Sequence, residues 1–259
     1  MNQRTSALLS DWLRFLTLGI TVIWLTHTIV YFAHEYAHSA TAWLLGCKSN
    51  PLDLEYGRLD FANVLLLHQV DENVQYSSIF AQGRGHAAGF IAFAGMGIGN
   101  LFLYLLARLL LVRQSVRRRK TLFLCVFWFC FMNVGNFYDY VPVRTFASHG
   151  DIAHITRSLN LSPWLLLVVF GYPTAWALWH CFARALPDAL PLLAPGNRWQ
   201  QAVITVACVV MMFGYFGASG FSGYGEVSRT LSGMSMLAVP GIAAACWPSR
   251  HAFTALPPV

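Results

Sequence analysis

Long apolar runs separated by short polar stretches dominate this chain. The first covers residues 12 to 46 almost without interruption and closes on Gly46, a residue type that commonly ends helices. As one helix it would measure about 52 Å, against about 30 Å of bilayer hydrocarbon. Its start must therefore lie along a surface, where Asp11 and Arg14 would suit, or the helix must tilt or break. Further runs predict helices at about 86 to 112, 121 to 138, 164 to 186, 200 to 219 and 230 to 246. After the first run, Leu52, Leu54 and Tyr56 alternate with Asp53 and Glu55, and Gly57-Arg58 leads into Leu59-Asp60-Phe61. A period of two around a glycine predicts a short β-hairpin. Residues 65 to 80 carry no assignable pattern beyond that of an interfacial helix. From Asp151, the positions of Ile152, Ile155 and Leu159 against Arg157 and Ser158 predict a short amphipathic helix that stops before Pro163. Pro187, Pro191 and Pro195 punctuate the gap after the fourth run, and Gly214 to Gly225 reads as a glycine-rich loop. The pattern predicts an all-α polytopic membrane protein. It would have about six transmembrane helices, a β-hairpin after the first and a membrane-proximal segment after the third.

Composition agrees: 56% of residues are hydrophobic and only 11% charged, with a mean hydropathy of +0.51. A soluble domain carries about a quarter charged residues. The net charge of +6 raises nucleic acid as a partner, but Arg113, Arg117, Arg118, Arg119 and Lys120 sit in one short loop between apolar runs. That placement fits membrane orientation, so the bilayer is the expected partner and nucleic acid is not. With six spans and this loop in the cytoplasm, both termini are cytoplasmic, consistent with Arg4 and Arg250, and the acid-rich residues 47 to 85 face outward. A bacterial inner (plasma) membrane is the expected location. None of the six cysteines forms a Cys-x-x-Cys pair, which argues against a disulfide framework or a thiolate zinc site. The first run lacks a small-residue cleavage site and is not expected to be a removed signal peptide.

One motif carries chemistry. His34-Glu35-Tyr36-Ala37-His38 lies inside the first apolar run. Residues four apart share a helix face, so both imidazoles can reach one metal ion. Glu35 stands where a carboxylate can take a proton from a water activated by that ion. Ionisable groups at membrane depth are costly and usually functional. His27, two turns earlier on the same face, suits a buried polar partner better than a ligand. A catalytic zinc site needs a third protein ligand. Asp139, His149, Asp151 and His154 in the polar stretch after the third span are the candidates, and spacing does not choose among them. Asn100, at membrane depth in the second span, can either bond a neighbouring helix or line the site.

The order of features resembles the site-2 protease family of intramembrane zinc metalloproteases. The resemblance covers roughly residues 20 to 165. It rests on His34-Glu35-Tyr36-Ala37-His38, then on Ala94-Gly95-Met96-Gly97-Ile98-Gly99-Asn100, then on Asn136 through Pro142 to Gly150-Asp151. The resemblance implies that His34, His38 and Asp151 bind Zn2+ and that Glu35 is the catalytic base. It also implies that Asn100 and Asn136 hold the substrate or the developing oxyanion, and that the hairpin offers an edge to an unwound substrate segment. Residues 1–259 would then form a single membrane domain without a PDZ domain: a protease-like core over about 12–165 and C-terminal helices over about 164–246. Its partner would be a membrane-protein substrate. Departures are the Gly150-Asp151 order, Pro142 nine residues before the Asp, and Met96 where the family often has Pro. They leave His149 and Asp139 as alternative third ligands. The competing functions are an inactive protease relative that binds membrane clients and a carrier that passes metal ions or protons through the buried His and Asp residues.

Overall fold

The computed structural model describes residues 3–248, so Arg250 of the topology argument lies outside the described residues. Helix α1 spans Gln3–Leu44, α2 Gly85–Leu111, α3 Lys120–Val143, α4 Asp151–Leu159, α5 Pro163–Leu193, α6 Arg198–Ser222 and α7 Glu226–Ala245. Five of them are long and apolar enough to cross a membrane: α1 over Leu8–Leu44, α2, α3, α5 and α6. That is compatible with an integral membrane protein. The expected sixth span is a helix, α7, but it is not among the five. Ser228, Ser232 and Ser235 stand on one face of α7 and are all buried, so its polar stripe is turned inward.

Helix α1 resolves the length problem without a break. Its 42 residues would extend about 63 Å, about twice the hydrocarbon thickness. Leu13, Ile20, Leu25 and Ile29 are exposed along it.

The predicted β-hairpin does not form, and no strand occurs among the described residues. Of the alternating apolar positions Leu54 is buried while Leu52 and Tyr56 are exposed, so the alternation does not mark a buried strand face. What forms is a single antiparallel bridge, with Glu55 and Asp71 exchanging two backbone hydrogen bonds of 3.0 and 2.9 Å. The returning strand is pre-empted by a helix. Gly57 turns the chain at φ +64°, and Asp60 then caps the short helix Phe61–Leu66 by accepting from the Asn63 amide at 2.9 Å. The Asn63 side chain donates to the carbonyls of Tyr56 and Arg58 and accepts from the Gln69 amide, taking the hydrogen bonds a partner strand would have supplied. Leu54, Leu67 and Val70 pack together against Tyr31, Phe32 and Tyr36 of α1. A second short helix, Tyr76–Ala81, completes the connection.

Two other expected gaps are helical. Through a π-helical turn at Cys181–Ala185, α5 continues past Pro187 and Pro191 to Leu193. Such a turn relieves the clash and missing donor of a helical proline. The stretch expected as a glycine-rich loop from Gly214 is the end of α6, which tightens into a 3-10 turn over Phe216–Ser222. Only Gly223 and Gly225 keep the left-handed conformations of a turn.

The described residues group into two compact units. One joins the chain up to Val74 with Ala94–Asn133, the other Gln75–Phe93 with the chain from Val134. In the first, α2 packs against α1 through Gly99, where a Cβ would lie 3.0 Å from the Ala33 carbonyl oxygen. In the second, α6 packs on the serine stripe of α7. A Cβ on Gly220 would stand 2.2 Å from the Ser228 carbonyl oxygen, and one on Gly217 would stand 2.1 Å from Ser235 Oγ. Ser235 Oγ accepts from Tyr138 at 2.9 Å and donates to the Phe213 carbonyl at 2.8 Å. Small residues let backbones approach where lipid supplies no hydrophobic drive between helices.

Because the Gly220 contact is with backbone, Gly220→Val should destabilise the protein by about 1–3 kcal/mol. Gly233→Ala, in α7 with nothing within 4 Å of the added carbon, should leave stability unchanged or raise it by up to about 1 kcal/mol. Thermal unfolding in detergent checks both, and equal Tm values for the two variants would refute the close-packing account.

Candidate metal centre

His34 and His38 occupy consecutive turns of α1 and are 2% and 1% exposed. Their Nε2 atoms lie 2.9 Å apart, with the rings nearly perpendicular at 78° and their centroids 4.6 Å apart. Both ring edges therefore converge on one point. Glu35, between them in sequence, is also buried.

Space for that convergence comes from a glycine. A Cβ on Gly95 would fall 2.2 Å from His38 Nε2 and 2.5 Å from His34 Nε2. The backbone of α2 thus lies directly over the two nitrogens, and only a hydrogen fits between. From Gly95 to Leu101 the helix widens into a π-helical turn, a local feature frequent at functional sites. The turn carries Asn100, fully buried, toward α1.

Asn100 fixes the protonation pattern of His34. The chain of reasoning starts at a backbone carbonyl, which can only accept. Asn133 Nδ2 donates to the Phe129 carbonyl at 2.7 Å, so Asn133 Oδ1 faces Asn100 and accepts from its Nδ2 at 3.2 Å. Asn100 Oδ1 is then directed at His34 Nδ1, 2.6 Å away, and Nδ1 must be the donor. The neutral ring consequently presents a lone pair at Nε2, the form a metal requires.

Asp151 completes, with the two histidines, a group that could hold a metal ion. His34, His38 and Asp151 each offer one ligand atom, and these atoms all lie within 4.8 Å of one another. In a tetrahedral site with bonds of about 2.0–2.1 Å the ligand atoms stand about 3.3 Å apart, so the two Nε2 atoms, 2.9 Å apart, would have to separate by about 0.4 Å around a shared ion. Two imidazoles, a carboxylate and a cradle that a single Cβ would fill make a donor set that fits a divalent metal. Asp151 is the first residue of α4 and follows Gly150, whose φ of 84° suits glycine.

The other candidates are engaged elsewhere. Asp139 is ion-paired with Arg144, which stacks over Tyr140 and Tyr224 and donates to the Tyr224 hydroxyl at 2.8 Å. Burial opposes the Arg144 charge, yet Asp139, Tyr140 and Tyr224 outweigh it and hold the guanidinium protonated well above its ordinary range. His149 is exposed and stacks on Tyr224, and His154 stacks on Tyr76 at 4.0 Å. His27 is buried with Nε2 3.4 Å from the Leu66 carbonyl, as a buried polar partner should be. Asn136 is buried on α3. For Asn100, the observed contacts commit the carbonyl and one N–H to the histidine and its neighbour rather than to open space. The orienting parts played by Asn133 and Gly95, and the capture of Asp139 by Arg144, were not read from the sequence. Polar Asn133 at membrane depth, and a base five residues after Asp139, were the available signals.

Comparison with known proteins finds no family model that matches this chain, and no curated protein or solved structure that matches it.

Removing the orienting group should weaken the centre without dismantling it. Asn100→Ala is expected to lower zinc affinity about 10–100-fold, the usual cost of losing a partner behind a metal-binding histidine. Gly95→Ala should abolish binding. Competition against a chromophoric zinc chelator reads both, and full-affinity binding by Gly95→Ala would overturn this arrangement.

Proposed function

We propose that the chain is a membrane-embedded zinc metalloprotease that hydrolyses peptide bonds in or near transmembrane segments of membrane proteins. The observation that carries this reading is the grouping of His34 and His38 of α1, beside a buried Glu35, with Asp151 of α4. A carrier needs ligands but has no use for a carboxylate held next to two of them. The resemblance to the site-2 protease family, on the motifs of α1, α2 and the Gly150-Asp151 step, points the same way.

Zinc held by these three residues would supply an activated water, with a pKa near about 7, and a Lewis acid for the carbonyl of the scissile bond. Glu35 would accept the proton as that water attacks and return it to the leaving amine. Asn100 would hold the His34 ring turned with its Nε2 toward the metal by accepting from Nδ1. The burial of His34, Glu35 and His38 keeps bulk water from the reacting groups. A substrate helix shields its own peptide bonds and must unwind locally before it can react. With no strand edge among the described residues, the unwound segment would be held by side chains, of which Asn136 is the nearest candidate by sequence to the Asp139–Asp151 stretch. The multi-pass arrangement suits a bacterial plasma membrane.

The test combines metal content with cleavage. Detergent-purified wild type should carry near-stoichiometric zinc by elemental mass spectrometry, and His38→Ala and Asp151→Ala should lose it. Glu35→Gln should keep the zinc while cleaving transmembrane reporter peptides at least about 100-fold more slowly. Zinc without cleavage in the wild type would favour a client-binding relative, and no zinc in any sample, even after reconstitution, would sink the protease reading.

A further inference from the structure

The turn between α2 and α3 carries the densest charge in the molecule and has no part in the proposed chemistry. Arg113, Arg117, Arg118, Arg119 and Lys120 are all exposed. The sequence around them offers no counter-charge: there is no Asp or Glu anywhere from Asn73 to Tyr138. The turn is nevertheless built, not loose. Val116 is buried at its centre, a short helix Gln114–Arg117 shapes it, and the Arg117 guanidinium lies 5.7 Å from the Phe123 ring centroid, folded back toward α3. Five cations are therefore held close together at a fixed height on the structure. Holding them costs repulsion that an external anion can relieve.

A second feature leads up to them. Phe102, Leu105 and Leu109 on α2, and Val112 at its C-cap, are 63%, 51%, 60% and 67% exposed. The spacing puts them on one face of the helix over about three turns, roughly 15 Å, ending one residue before Arg113. The opposite positions Tyr104, Ala107 and Leu111 are buried, so the stripe is the outward face. An apolar strip capped by a cation cluster has the shape and polarity of an amphiphile with an anionic head. A cytosolic acidic protein would use the charges and leave the strip unexplained.

We propose that this corner binds an anionic phospholipid, its phosphate headgroup on Arg113 and Arg117–Lys120 and an acyl chain along Phe102, Leu105, Leu109 and Val112. The proposal rests on α2 and α3 being membrane spans and is independent of zinc and of proteolysis. Guanidinium groups suit it because their planar fork engages phosphate oxygens in pairs. Beyond orientation, which any positive charge supplies, the arrangement selects lipid by headgroup charge.

The experiment uses the full chain in detergent, titrated with dioleoylphosphatidylglycerol or dioleoylphosphatidylcholine and read by native mass spectrometry of retained lipid. Wild type should retain the anionic lipid in preference, with a selectivity that falls as salt is raised. R117Q/R118Q/R119Q should lose that preference by roughly fivefold per charge removed, the effect of about 1 kcal/mol for each base near a surface. R117K/R118K/R119K should keep most of it. Leu105→Ser with Leu109→Ser should weaken retention of both lipids alike, which separates the strip from the charges. Circular dichroism and gel filtration confirm that each variant is folded. Equal retention of the two lipids by wild type would overturn the proposal. So would displacement of the anionic lipid by equimolar inorganic phosphate, or a preference that survives in the glutamine variant.

Discussion

A single backbone carbonyl, that of Phe129, sets the direction of a hydrogen-bond chain on which the candidate centre depends. At membrane depth each polar group must find a partner within the protein, because hydrocarbon offers none and each failure costs several kcal/mol. Asn133 meets the carbonyl with its amide, Asn100 meets Asn133 with its own, and His34 is left facing an acceptor. No link can be reversed without placing two donors or two acceptors face to face. The imidazole thereby has its tautomer imposed from some distance behind it. A ligand prepared in this way needs no reorganisation when a metal arrives, which is what tight catalytic sites require of the groups supporting them.

Sterics do the complementary work. Hydrogen bonds of 2.6 and 3.2 Å from α2 toward His34 and Asn133 require the helix backbones to come close, and Gly95 and Gly99 permit it. The same device recurs where α6 lies on α7, with Gly217 and Gly220 against Ser228, Ser232 and Ser235. In both places the residues that matter are the ones with least to show in a sequence. Their contribution lies in what they do not occupy.

This explains which parts of the molecule were legible from residues alone. Five apolar runs were legible because a span announces itself by length and apolarity alone, and the amphipathic α4 because its burial follows the helical period. His34, Glu35 and His38 announced themselves by spacing. The hairpin over residues 52 to 61 was misread because alternation reports neither the exposure of Leu52 and Tyr56 nor the capping by Asp60 and the hydrogen bonds of Asn63 that divert the chain. Gly214 to Ser222 looked like a loop because glycine is ambiguous: it serves turns and close helix contacts equally. The sixth span is not confirmed: α7 is a helix at the expected place, but its inward serines lower its hydropathy while serving its packing. Weighing Asp139, His149 and Asp151 required knowing the neighbours of each: Arg144 stands only five residues from Asp139, but Tyr224, which meets both Arg144 and His149, lies on a distant stretch of chain.

Charge balance gives these choices a common reason. In the proposed centre two imidazole ligands would add no charge and the Asp151 and Glu35 carboxylates would bring two negative charges, so a divalent cation would make the group neutral as a whole. In a medium of low dielectric constant neutrality is decisive, since an excess charge there is worth many kcal/mol. A third free carboxylate would leave the centre anionic and would compete for the ion. Asp139 is the residue positioned in sequence to cause that trouble, and Arg144 neutralises it in a separate pair with aromatic rings on the cation. In the proposed centre Arg144 would contribute by holding one carboxylate in a separate pair, and a divalent rather than a monovalent ion would suit the charges that remain.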